Sequence, residues 1–116
     1  MLRQILKSKI HGAMVTESNV DYVGSITIDE TLMKAADLAG YEKVLIGNLS
    51  NGNRVETYVI QGKKNSGVIG MNGAAAHLCK VGDKLLIMSF ALLNGQELEK
   101  HVPKKIFLDS GNRIKK

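Results

Sequence analysis

With 116 residues, 44% of them hydrophobic and 23% charged, the chain reads as one soluble domain with a modest core. It has no apolar run long enough to cross a bilayer and only one cysteine, which excludes a helical membrane span and an internal disulfide framework. The net charge of +5 invites a nucleic-acid reading, but Lys104, Lys105, Arg113, Lys115 and Lys116 all lie beyond Pro103, and aromatic residues make up 4% with no tryptophan. A solvated basic tail accounts for that distribution better than a base-stacking surface does, and a basic balance also attracts a small dianion. Met1 to Ile10 carries Arg3, Lys7 and Lys9 without a long apolar stretch and does not read as a secretory leader. With the lone cysteine, this points to the cytoplasm.

Glycine and proline punctuation divides the chain into short pieces, most of strand character. Residues 5–10 and 13–17 read as strands joined near His11-Gly12, and residues 20–28 as another, interrupted at Gly24-Ser25. The period then changes. Over residues 30–39, Leu32, Ala35, Ala36 and Ala39 fall on one helical stripe, with Asp29 as N-cap and Gly40 as the stop. Residues 43–49 return to strand, Ser50-Asn51-Gly52-Asn53 marks a hairpin turn, and residues 54–61 form the partner strand. A short strand at 68–71 leads through Asn72-Gly73 into a brief helix at 74–79. The Val81-Gly82-Asp83 turn precedes residues 84–92, the most apolar strand. Residues 97–100 read as a helical turn, 104–108 as an edge strand, and the chain from Ser110 onward as loose. Many short strands with two helical interruptions predict a mainly β domain, a small closed barrel, because closure removes aggregation-prone edges.

Three blocks carry chemistry. The first is Gly24-Ser25, inside Tyr22-Val23-Gly24-Ser25-Ile26-Thr27-Ile28-Asp29. A serine attacks the carbonyl before it only if the backbone bends, and a preceding glycine allows that bend at least steric cost. Alone, the pair is equally an ordinary turn dipeptide. The second block is Arg54-Val55-Glu56-Thr57-Tyr58 and the third Asn72-Gly73-Ala74-Ala75-Ala76. Together they resemble the pyruvoyl-dependent aspartate 1-decarboxylases, over about residues 9–90.

That resemblance implies a six-stranded double-psi β-barrel, assembled as a homotetramer of processed chains. It implies self-cleavage at Gly24–Ser25 into residues 1–24 and 25–116, with Ser25 converted into a covalently bound pyruvoyl group as the cofactor. The implied reaction is decarboxylation of L-aspartate to β-alanine, which feeds pantothenate synthesis. The resemblance gives Thr57 the task of stabilising the oxyanion during the cut and makes Tyr58 the proton donor. It gives Thr57, Gly73, Ala74 and Ala75 substrate contacts and sets Asn72 near the processed residue. Lys9 and His11 match family positions near the site, while Gly12 and Met14 stand where some relatives carry basic residues. Some relatives also require an accessory maturation protein.

The residue types are compatible with those roles. Arg54 offers a planar fork for a carboxylate, and the retained carboxylate is the one to hold, since gripping the leaving one in the ground state raises the barrier. Which carboxylate it meets stays open. Tyr58 lies four residues after Arg54 and shares its face on a regular strand, whereas Thr57 faces the other way. Both serve one site only if the strand bulges or adjacent subunits share it. Free N–H groups where Gly73-Ala74-Ala75 opens a helix suit an anion. Lys9 either assists with substrate charge or is a solvated strand lysine, and His11 packs or hydrogen-bonds. His77 and Cys79 are two apart and His101 sits in the tail, a poor metal-ligand spacing, so no metal is expected. The alternative is a non-catalytic barrel that binds nucleic acid or a protein partner.

Overall fold

Local patterning and long-range pairing combine in a single sheet. The computed structural model describes residues 1–116. In chain order it contains β1 (Arg3–Met14), β2 (Glu17–Asn19), β3 (Ser25–Asp29), α1 (Glu30–Ala35), β4 (Lys43–Asn48), β5 (Arg54–Gly62) and β6 (Ile69–Asn72). A 3-10 helix (Gly73–His77), β7 (Lys84–Leu93), α2 (Gly95–Lys100) and β8 (Lys104–Phe107) complete it. No helix is long and apolar enough to cross a membrane.

The protein is mainly β, as expected. The strands form one eight-stranded sheet in the order β2-β6-β3-β5-β4-β7-β1-β8, so β2 and β8 are terminal additions to six inner strands. The two ends of the inner run meet just past β1, where Thr16 N donates to Ile69 O at 2.8 Å and Ile69 N donates to Thr16 Oγ1 at 3.0 Å. Alternation sends Ile26 and Ile28 of β3, Ile46 of β4, Val59 of β5 and Leu85 and Ile87 of β7 into one buried core.

Several boundaries differ from the sequence reading, each for a local reason. The expected strand at 5–10 and the start of the one at 13–17 are one continuous β1 ending at Met14, and Glu17 opens β2. Within β1 the register shifts between His11 and Ala13 at Gly12, whose φ is +85°. That is a bulge, which bends a strand without ending it. Of the expected strand at 20–28 only the second half forms, as β3 from Ser25; residues 20–24 carry no strand, and the short β2 lies before them. Helix α1 ends well short of Gly40. Asp37 takes the left-handed conformation at φ 55°, its N–H donates to Lys34 O, and Leu38 N–H donates to Met33 O. This is a Schellman stop built on aspartate instead of glycine. Helix α2 begins earlier than expected because Asn94 and Glu97 form a reciprocal capping box.

The C-terminal segment is ordered, contrary to the loose tail expected from Ser110. Asn112, 2% exposed, accepts from Met14 N at 2.8 Å and donates to Met14 O and Gly67 O, both at 2.8 Å. It thereby joins β1 to the β5–β6 loop. Its φ of 57° is a conformation that asparagine tolerates and most side chains resist. The same loop is held by Asp29, the α1 N-cap, which accepts from Thr31 N at 2.8 Å, Asn65 N at 2.9 Å and Gly67 N at 2.8 Å. Burial pushes the Asp29 carboxyl up, but the N–H groups of Gly67, Thr31 and Asn65 outweigh it and hold the carboxyl below its ordinary value.

Two outcomes follow from these ties. Replacing Asn112 with Ala removes three buried hydrogen bonds and should cost about 2–3 kcal/mol, read as a drop of roughly 10 °C in Tm. Asp29 is depressed in the fold, so its contribution is complete above the unfolded value near 3.9 and is lost as pH falls through the lower folded value. Thermal melts should therefore weaken below about pH 4, and less steeply in Asp29→Asn, which carries no such proton linkage.

Candidate active site

Ser25 opens β3, where the chain passes from exposed loop to buried sheet. Gly24 is exposed and Ser25 is 2% exposed, so the Gly24–Ser25 bond lies at that boundary. β3 pairs antiparallel with β6, placing Ser25 opposite Asn72. Asn72 Nδ2 donates to Ser25 Oγ and to Thr27 Oγ1, both at 3.0 Å. Ser25 Oγ also makes a long contact of 3.5 Å as donor to Val23 O.

The glycine that this geometry requires is Gly73. Its φ is +71°, and a Cβ placed there would stand 2.6 Å from Gly24 Cα, 2.8 Å from Gly24 N and 3.0 Å from Tyr22 O. All three are backbone atoms that a side chain could not push aside cheaply. Gly24 itself has no left-handed φ, and a Cβ there would meet only Asn72 O at 3.9 Å. Close approach of the loop therefore falls on the Asn72-Gly73 corner. Beyond it the brief helix expected at 74–79 is a 3-10 helix over Gly73–His77; Ala74 is exposed, while Ala75 and Ala76 are buried.

On its other side β3 pairs parallel with β5, with Ile26 opposite Val59. One step back along both strands brings Ser25 level with Tyr58, on the same face. The Tyr58 ring lies 6.3 Å from that of Tyr41, which is exposed and held at φ 69°. Sequence patterning gave no sign of Tyr41 or of Thr27, because both partnerships come from non-local pairing. Arg54 is exposed at the start of β5, about 13 Å along the strand from Tyr58. Register between β4 and β5 runs unbroken from Arg54 to Tyr58, so no bulge turns Thr57 toward the Tyr58 face. Thr57 makes no side-chain hydrogen bond within the chain.

Lys9 and His11 lie farther away. β1 pairs with β7 and β8 and not with β3. Lys9 is half-buried opposite Met88, and the His11 ring lies 5.4 Å from Phe107. A single chain thus gathers Gly24, Ser25, Asn72, Gly73 and Tyr58, and leaves Lys9, His11 and Arg54 apart. A surface cleft of about 410 Å³ is lined by Gln4, Lys43, Val44, Leu45, Glu56 and Phe90 and holds none of the expected site residues. Lys43 and Glu56 are ion-paired across it at 2.6 Å. No three His, Cys, Asp or Glu side chains converge as metal ligands would.

The family model for aspartate decarboxylase matches residues 1–115. The chain belongs to the aspartate decarboxylase family. A protein of Caldicellulosiruptor saccharolyticus named aspartate 1-decarboxylase is 56% identical over 116 residues, covering 100% of this chain and 91% of the relative. Proteins of the same name from Carboxydothermus hydrogenoformans and Clostridium botulinum strain Langeland are 49% and 55% identical, covering 100% and 97% of this chain and 91% and 88% of theirs. The match includes the Ser25–Asn72–Gly73 corner and both flanks of it.

The corner makes a paired test. Gly73→Ala should lose about 2–4 kcal/mol in urea or thermal melts, from its left-handed φ and from overpacking against residues 22–24. Gly24→Ala, facing open space, should stay within about 1 kcal/mol of the parent.

Proposed function

We propose that the chain decarboxylates L-aspartate to β-alanine and generates the carbonyl group this needs by cutting its own backbone at Gly24–Ser25. Family membership supports aspartate as substrate. The observation that carries the self-cutting is the buried Ser25 hydroxyl, held by Asn72 beside a Gly24 against which only Gly73 could fit. Ser25 Oγ adds to the Gly24 carbonyl, and collapse of the adduct expels the Ser25 nitrogen, leaving an ester in place of the amide. Loss of the Ser25 α-proton then expels the Gly24 carboxylate and leaves dehydroalanine. Water hydrolyses this to a pyruvoyl group with release of ammonia.

The residues around position 25 fit such a group. The Asn72 amide nitrogen can donate to a carbonyl oxygen as it does to a hydroxyl, and Gly73 leaves the neighbouring backbone uncovered. When present, a pyruvoyl carbonyl condenses with an amine and accepts the electron pair released with carbon dioxide. Tyr58, level with position 25, is suited to return a proton to the product carbon. Arg54 is suited to hold a substrate carboxylate and Lys9 to add positive charge. The backbone at Gly73, Ala74 and Ala75 is suited to line the substrate.

Neither Lys9 nor Arg54 is paired or level with Ser25 in one chain, and Thr57 projects from the opposite face of β5 from Tyr58. Both facts favour a site completed by a neighbouring copy, hence a symmetric homo-oligomer, which the family resemblance makes a tetramer. In this reading Thr57 reaches the Gly24 carbonyl of the site it serves. In this reading the protein works in the cytoplasm, where β-alanine enters pantothenate synthesis.

Intact-mass analysis of the ageing protein tests this. Fragments matching residues 1–24 and 25–116 should accumulate, the larger gaining mass on borohydride reduction, and aspartate turnover should rise in step. Ser25→Ala should remain one chain and inactive. Tyr58→Phe should still cut but lose turnover by about 10²-fold or more. A wild-type chain that stays whole while turning over aspartate would overturn the mechanism.

A further inference from the structure

The mechanism leaves one hydroxyl beside the cut unused. Strand alternation sends Ile26 and Ile28 into the core, so Ser25 and Thr27 are successive side chains on the other face of β3. Thr27 pairs with Gly70 on β6, two residues before Asn72. A Cβ at Gly70 would stand 3.4 Å from Thr27 Cβ and 3.7 Å from its Oγ1. A Cβ at Gly62, on the strand to the other side, would stand 3.0 Å from Thr27 Cγ2. Glycines on both neighbouring strands therefore leave a niche that this side chain fills. A β-branched side chain has few rotamers to begin with, and here its Oγ1 lies 3.0 Å from Asn72 Nδ2.

The terminal torsion of an asparagine is soft, and one hydrogen bond does not define it. Asn72 Nδ2 has two N–H groups, and the two hydroxyls accept both, at 3.0 Å each. Fixing one fixes the other. We propose that Thr27 is a positioning residue for the cut: seated between Gly62 and Gly70, its hydroxyl holds the Asn72 side chain so that the second N–H stays on Ser25 Oγ. That N–H steadies the Ser25 oxygen and stabilises negative charge on it as its proton leaves. Thr27 touches no reacting atom and acts through Asn72 alone. This inference rests on the self-cutting reading above.

The experiment follows the rate at which the 25–116 fragment appears, by intact mass, in freshly made full-length chains. Thr27→Val keeps the shape and removes the hydroxyl, and should cut about three- to tenfold more slowly at unchanged Tm. Thr27→Ser keeps the hydroxyl and should cut within about twofold of the parent. In an Asn72→Ala background, Thr27→Val should change the rate no further, since the residue through which it acts is gone. Equal rates for Thr27→Val and parent, equal slowing by Val and Ser, or a full additional loss in the Asn72→Ala background would each overturn the inference. If Thr27→Val melts below the parent, Thr27→Ala against Thr27→Ser makes the same comparison. A parent that never cuts overturns the self-cutting reading and this inference with it, whereas a parent that cuts as fast as Thr27→Val overturns this inference alone.

Discussion

β3 is paired on both sides, antiparallel to β6 and parallel to β5, and that double pairing decides where each group near Ser25 lies. Antiparallel register against β6 sets Ser25 opposite Asn72. Parallel register against β5 sets it level with Tyr58. The strand is only five residues long, so its far end must be fixed as firmly as its near end. Asp29 does this by closing α1 and the β5–β6 loop onto the end of the strand with three backbone N–H groups. A slip of one residue would turn Ser25 into the core and Ile26 outward.

Buried asparagines join the irregular segments to the sheet. Asn48 donates to Leu78 O and to Asp83 Oδ2 and accepts from Ser50 N, tying the β4–β5 turn to the chain before β7. Asn112 ties the C-terminal segment to β1, and Asn72 ties β6 to β3. Each amide offers donor and acceptor on one short stem, which suits sites where backbone groups of two segments face each other without a ladder. No buried side-chain nitrogen or oxygen in the protein lacks a partner. Together these amides hold irregular stretches that the core alone would leave loosely fixed.

Strand identities were readable in the sequence wherever the signal was local. Alternation in residues 43–48 and 54–62, with Asn51-Gly52 between them, is enough to define the β4–β5 hairpin. In sequence the bulge at Gly12 is indistinguishable from a break, because a glycine in an apolar strand looks the same in either case. The helix stop at Asp37 has no sequence signature, since left-handed aspartate leaves no pattern, and Asn112 reads as part of a polar tail because its partners are far away in sequence. At the site, the three motif blocks were visible as blocks, and their meeting at one corner was not derivable from spacing. The steric demand at Gly73 and the shared amide of Asn72 both depend on how β6 lies against β3.

β1 runs for twelve residues and is hydrogen-bonded along both edges, to β7 on one side and β8 on the other, with Asn112 gripping its end at Met14. Scission of the peptide after residue 24 would therefore leave the smaller piece woven through the larger without any covalent tether. Such a protein is a heterodimer in the thermodynamic sense. Its resistance to unfolding would depend on how concentrated it is, and once melted and diluted the two pieces would have to find each other again before the sheet could re-form.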